Sequence, residues 1–205
     1  MIREIERLMD IVSKYRQAVA EYHDTRRQLE KQARDGVIGS LQLNDSIKKL
    51  DTGMETRANR DKEEYEAEYA KAIEAARKAI SSPKFAADTG FRNVVETIKN
   101  SGGAFDTDPD VLRGMMSPYL EDYAARKILA ATLDKFTALK SRYFNIHAAN
   151  PLYALQSLAG REVLEFNNWA SEGGRAFRGL LGQLQAVLDI AKGESSTMPS
   201  TSIVF

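Results

Sequence analysis

MIREIERLMDIVSKYRQAVAEYHDTRRQLEKQAR, residues 1–34, places an apolar or aromatic side chain at almost every third or fourth position. Alternating steps of four and three lead through Met1, Ile5, Leu8, Val12, Tyr15, Val19, Tyr22, Arg26, Leu29 and Ala33. That is the heptad of a coiled coil, with Ile5, Val12, Val19, Arg26 and Ala33 at a and Met1, Leu8, Tyr15, Tyr22 and Leu29 at d. At about 1.5 Å per residue the stretch makes a rod of roughly 50 Å. The remaining faces carry charges such as Arg3, Glu6, Asp10, Lys14, Glu21 and Arg27, as a solvated coiled-coil surface does.

The pattern stops at Asp35-Gly36-Val37-Ile38-Gly39, where two glycines supply backbone freedom that a helix has no use for. Apolar spacing resumes at Leu43, Ile47, Leu50 and Met54, thins through Glu55–Glu64, and returns at Tyr65, Tyr69, Ile73, Ala76 and Ile80. Thr52 followed by Glu55 fits a capping box, which predicts a break in this second arm near Gly53. A short glycine-containing connection favours antiparallel neighbours, so the two arms fold back on each other. Folding about Val37 sets Arg7 opposite Glu68 or Tyr69, and Arg26 near Leu50 and Asp51. Opposite charges then meet along part of the seam.

The 205 residues are enough to bury a core in one or two domains. Lys plus Arg balances Asp plus Glu at 29 each, so the chain lacks the net positive charge of a dedicated nucleic-acid binder. With no cysteine, disulfides, thiolate chemistry and Cys-ligated zinc or iron–sulfur sites are excluded. Arg3, Glu4, Glu6 and Arg7 interrupt any N-terminal signal-like run, and no stretch has the length and apolarity of a membrane span. The expected location is therefore cytoplasmic, without membrane insertion. Charge is concentrated in residues 1–82, which hold 16 basic and 16 acidic residues. This shift divides the chain into a helical hairpin over 1–82, a bundle over 83–193 and a tail over 194–205.

Beyond residue 82 the helix starts are written as cap–proline pairs. Ser82-Pro83 begins a turn through Phe85. Asp88 or Thr89 caps a helix that turns Phe91, Val94, Val95 and Ile98 inward and ends at Asn100–Gly103, with Phe105 as an anchor in the next loop. Asp108-Pro109 opens a short helix carrying Val111, Leu112, Met115 and Met116. Ser117-Pro118 opens a long one from Leu120 to Ile146. Asn150-Pro151 opens another through Val163 and Phe166, and Gly173-Gly174 precedes a last helix with Phe177, Leu180, Leu184, Val187 and Leu188. No segment alternates with period two, so the fold class is all-α: an N-terminal antiparallel hairpin joined to shorter apolar helices.

Residues able to carry chemistry are sparse. His23 and His147 belong to no ligand spacing, and no cofactor or metal is implied. Glu63, Glu64, Glu66 and Glu68 form an acidic stretch. Asp106, Asp108 and Asp110 alternate, but Pro109 intervenes and the glycine and distal glutamate of a calcium loop are missing. Arg175 and Arg178 after two glycines are the most phosphate-like spot, without the lysine or spacing of a P-loop. Arg26, Arg27, Lys31 and Arg34 concentrate positive charge at the hairpin tip. Trp169 reads as a core or interface anchor, and no serine has a histidine at a recognisable spacing.

The reading that follows is a non-enzymatic structural or assembly protein acting through protein–protein contacts or self-association, of which a viral or phage component is one instance. Its contact residues are Val12, Tyr15, Val19 and Tyr22 on the seam, Arg26, Arg27, Lys31 and Arg34 at the tip, and the apolar tail residues Ile203, Val204 and Phe205. The alternative is a regulatory binder, an enzyme inhibitor or a nucleic-acid-associated factor, using the basic tip. Nucleic acid is the less favoured partner because acids interleave with the tip cations.

Overall fold

The computed structural model describes residues 1–81, 84–85, 87–101, 109–135, 150–170 and 177–193. The described residues hold helices and turns with no strand. Helix α1 spans Ile2–Arg34 and α2 spans Ser40–Ser81. The two pack against each other as an antiparallel hairpin. They are followed by α3 (Thr89–Ser101), α4 (Pro109–Met116), a 3-10 turn (Ser117–Tyr119), α5 (Tyr123–Leu133), α6 (Pro151–Gln156), α7 (Arg161–Asn167) and α8 (Phe177–Lys192).

The turn between α1 and α2 is a Schellman motif. Gly36 has φ +72°, the left-handed conformation that glycine adopts without penalty. Val37 N–H reaches back to the Gln32 carbonyl at 2.9 Å and Gly36 N–H to that of Ala33 at 3.2 Å. These two bonds satisfy carbonyls that the end of α1 would otherwise leave open.

Chain contacts divide the protein into two compact units. One consists of Arg3–Lys71 with Leu158–Leu184, so it contains the body of the hairpin, α7 and the first half of α8. On α1 it buries Ile5, Leu8, Val12, Tyr15, Val19 and Tyr22 from the a and d positions, together with Ile11 and Ala18. On α2 it buries Met54, Ala58 and Tyr65. The width of the α1 stripe follows from α7. Phe166 lies 4.6 Å from the Tyr15 ring and 5.8 Å from that of Tyr65, centroid to centroid. The Tyr15 hydroxyl donates to the Phe166 carbonyl at 2.8 Å.

The second unit consists of the described residues within 72–157 and 185–193, together with Met1–Ile2. Its core joins Phe91, Val94, Val95 and Ile98 of α3 to Leu112 and Met116 of α4 and Ala125, Leu129 and Leu133 of α5. Phe85 and Tyr119 pack on this core and meet edge to face at 5.0 Å. Asp88 caps α3 by accepting from Phe91 N–H at 3.0 Å. Arg126 is fully buried, and one of its Nη atoms donates to the Ile190 carbonyl near the end of α8. Burial pushes its guanidinium below the usual range. Gly193 ends α8 at φ +78°, where a Cβ would fall 2.7 Å from the Leu120 carbonyl oxygen, so a side chain has no room.

Three expectations are corrected. The second arm has no break near Gly53, because α2 runs unbroken over 42 residues. The Thr52 hydroxyl bonds back to the Lys48 carbonyl at 2.9 Å, so it satisfies itself inside the helix rather than capping a new one. Ser117-Pro118 opens only a 3-10 turn, and α5 starts at Tyr123. Asp122 is its cap, accepting from Ala125 N–H at 2.9 Å and from Lys84 N–H at 2.7 Å, so one carboxylate serves two backbone donors. Asn150 does cap a helix, through Leu152 N–H at 2.9 Å, but α6 stops at Gln156. Gly160, at φ +82°, then separates it from α7.

Ser82-Pro83, Phe105, Asp106, Asp108, Phe136–Ile146, His147 and Gly173-Gly174 lie outside the described residues.

Candidate functional site: the distal hairpin

The hairpin changes character along its length. Near α7 its seam is closed and its charges are paired. Arg16 donates to Glu165 at 2.7 Å, with the Glu165 side chain 2% exposed. Burial raises the Glu165 carboxyl above the usual range, against the hydrogen bond from Arg16, which lowers it. Glu68 is buried and faces Arg7 at 3.3 Å and Lys71 at 3.0 Å. Burial works to raise that carboxyl as well, but the hydrogen bonds from Lys71 and Arg7 hold it below the usual range. The pairing of Arg7 with Glu68 is the one expected from folding about Val37.

Polar matching continues to the edge of this closed part. Tyr22 donates to Asp51 at 2.7 Å and accepts from Arg26 at 2.9 Å. Arg26 also reaches Glu30 at 3.2 Å and lies 3.9 Å from Asp51. Its hydrogen bond to Tyr22 raises the guanidinium further above its ordinary value. Trp169 meets the Tyr22 ring edge to face at 5.1 Å.

Past Tyr22 the enclosure ends. From residue 23 to residue 53, around the tip, no residue is buried. The seam residues Leu29, Leu43, Ile47 and Leu50 are only half-buried, as two helices without a third leave them. Val37 and Leu41 are 70% and 76% exposed. Arg27 pairs with Asp24 within α1. Among the described residues, Lys31, Arg34, Lys48 and Lys49 have no ion pair. The distal hairpin is thus an apolar-tipped surface with unpaired cations on both arms.

On one side of the seam, where the closed and open parts meet, lies a shallow groove of about 330 Å³. Ala18, Tyr22, Met54 and Gly53 line it, with Lys49 and Arg57 among its charged residues. A Cβ on Gly53 would meet nothing within 4 Å, so the groove owes part of its depth to the missing side chain.

The residues expected to bind a partner are placed unequally. Val12, Tyr15, Val19 and Tyr22 are buried within this chain, Tyr15 against Phe166 of α7 and Tyr22 against Trp169 just beyond it. Arg26 is half-exposed and tied to Tyr22, while Arg27, Lys31 and Arg34 are more open to solvent. Arg178 sits in the first turn of α8, with its side chain outside the described residues. Arg175, Ile203, Val204 and Phe205 also lie outside them. His23 is half-buried, with its ring 5.0 Å from that of Tyr22.

Sequence reasoning passed over Val37, Leu41, Lys48 and Lys49. A signal for Val37 was present, because a connection between two helices has no seam to bury a valine. Among the described residues, no group of three or more His, Cys, Asp or Glu side chains is arranged to hold a metal ion. None of the described helices is long and apolar enough to cross a membrane. Compared with known proteins, the chain matches no family model, no curated protein and no solved structure.

Proposed function

We propose that the protein is a structural or assembly component that works through protein–protein contacts made by its distal hairpin. The observation that carries this reading is the run from residue 23 to residue 53, which buries nothing and exposes Val37 and Leu41 at its turn. A two-helix extension gains little stability for its own fold, whereas an exposed apolar tip ringed by charge is the surface that a partner would cover. The buried seam supports it from below, since Phe166 of α7 packs on both Tyr15 of α1 and Tyr65 of α2 and joins the two arms at the base.

The test is the apparent mass of the chain in an extract of the cell that makes it. Substituting Val37→Glu and Leu41→Glu together leaves the fold intact, because both side chains are exposed, and it is expected to reduce a large assembly to the free chain. A chain that runs at its own mass without substitution, or an assembly that survives both substitutions, overturns the reading.

The unpaired Lys31, Arg34, Lys48 and Lys49 favour a second reading, a regulatory binder of an anionic surface. It requires binding to nucleic acid or to an acidic protein that weakens steeply with salt.

A further inference from the structure

We infer that Arg126 is the cationic half of a buried anion site, and that its ligand is an oxyanion offering two oxygens side by side, a carboxylate or a phosphate. The site lies within the second unit and goes beyond the reading of the hairpin. Arg126 belongs to α5 and is fully buried. One edge of its guanidinium is occupied. Nη1 donates to the Ile190 carbonyl of α8. A Cβ on Gly193 would lie 2.8 Å from Cδ and 3.2 Å from Nη1, so the Gly193 backbone closes that edge.

The opposite edge is unmatched. Among the described residues, neither Nε nor Nη2 has a hydrogen-bond acceptor, although both atoms are buried. The N–H of Nε and one N–H of Nη2 point the same way. Together they make the fork that takes a carboxylate or phosphate with two parallel bonds. The open edge is thus the one whose geometry suits bidentate recognition.

A buried guanidinium cannot escape the cost of burial by giving up its proton, so it needs a counter-charge. Asp122, one turn earlier on α5, does not supply it by contact. Its oxygens accept from Ala125 N–H at 2.9 Å and Lys84 N–H at 2.7 Å, and neither bonds Arg126. Burial lowers the guanidinium even with that carboxylate nearby. A water would accept from the fork but leave the charge uncompensated. An oxyanion answers both needs at once. It has two possible sources, an anion from solution or the carboxylate of Glu194, the residue that follows Gly193 in the chain.

The experiment is urea unfolding of the purified full chain, followed by circular dichroism, with phosphate or acetate compared against chloride at equal ionic strength. A ligand of the folded chain alone raises the folding constant about tenfold for each tenfold rise above its dissociation constant. An anion from solution is expected to produce that rise in the native chain and to lose it in Arg126→Met, which keeps only the general effect of salt. If Glu194 fills the fork, the native chain responds to no added anion. Glu194→Gln then lowers its folding constant roughly a hundredfold or more, and does far less in the Arg126→Met background, where no cation is left stranded. Arg126→Lys keeps the charge without the fork, and it serves the same comparison should the methionine chain fail to fold.

Either pattern upholds the site and identifies its source. A native chain that responds to phosphate and acetate no more than to chloride, and loses nothing on Glu194→Gln, overturns the inference. So does an anion response that survives unchanged in Arg126→Met.

Discussion

Replacing Phe166 by alanine tests whether α7 is what closes the proximal hairpin. The ring is fully buried and touches Tyr15 and Tyr65, while its own carbonyl accepts the Tyr15 hydroxyl. Truncating a buried phenylalanine costs about 3–5 kcal/mol, part of it transfer energy and part the cavity left behind. Tyr15→Phe keeps the ring but removes the donor, and is expected to cost about 0.5–1.5 kcal/mol. Alanine keeps the backbone carbonyl that the Tyr15 hydroxyl bonds, so the two effects fall short of additive, by about 0.5 kcal/mol or more, only if losing the ring also loosens that carbonyl. Urea unfolding followed by fluorescence suits the case, because the single tryptophan, Trp169, stands against Tyr22 in the same unit and reports the docking of this region. A loss below about 1 kcal/mol for Phe166→Ala would refute the idea that this ring fastens α7 to the hairpin.

Gly53→Ala, in the same unit, is expected to stabilise the chain by about 0.5–1 kcal/mol, because the site is mid-helix and a Cβ meets nothing. A loss of stability in thermal unfolding would instead mark Gly53 as a working break in α2. Glu165→Gln tests the buried ion pair through pH. A carboxyl raised on folding holds its proton more tightly in the folded chain, so ionising Glu165 weakens the fold as pH climbs above the unfolded value of about 4.3. Relative to the native chain, the glutamine variant should therefore gain stability between mildly acidic and neutral pH, read from urea midpoints. A shift in the opposite direction over that range would mean that Arg16 outweighs burial.

The hairpin was legible because its signal is local and repeated. Heptad spacing named the buried faces of α1, and the glycines at Gly36 and Gly39 marked the turn. The fold-back register then followed from counting residues about Val37, and Arg7 with Glu68 and Arg26 with Asp51 lie as that count requires. Ile11 and Ala18 were not assigned to the core, because their burial depends on residues far away in the chain. Nothing near Glu165, Phe166 or Trp169 announces that they belong on α1. Their contacts span about 150 positions, and no local pattern carries that distance.

Capping misled where a residue had two uses. Thr52 resembles a cap in sequence but bonds back to its own helix, and Ser117 precedes a proline yet yields to Asp122, whose carboxylate serves two amides at once. The tip was legible as basic. Its apolar component was passed over because Val37 and Ile38 were read only as a turn.

The change in enclosure past Tyr22 also sets two timescales within one pair of helices. An amide beside Tyr15 or Tyr65 can exchange with solvent only when a buried ring leaves its place, whereas one beside Leu29 or Leu43 needs only a turn of helix to fray. Hydrogen exchange should therefore run fast from the tip inward and slow abruptly near Tyr22 and Met54. Whatever covers the tip would erase that step, so the exchange profile of the hairpin reports whether the tip is occupied, whatever the occupant is.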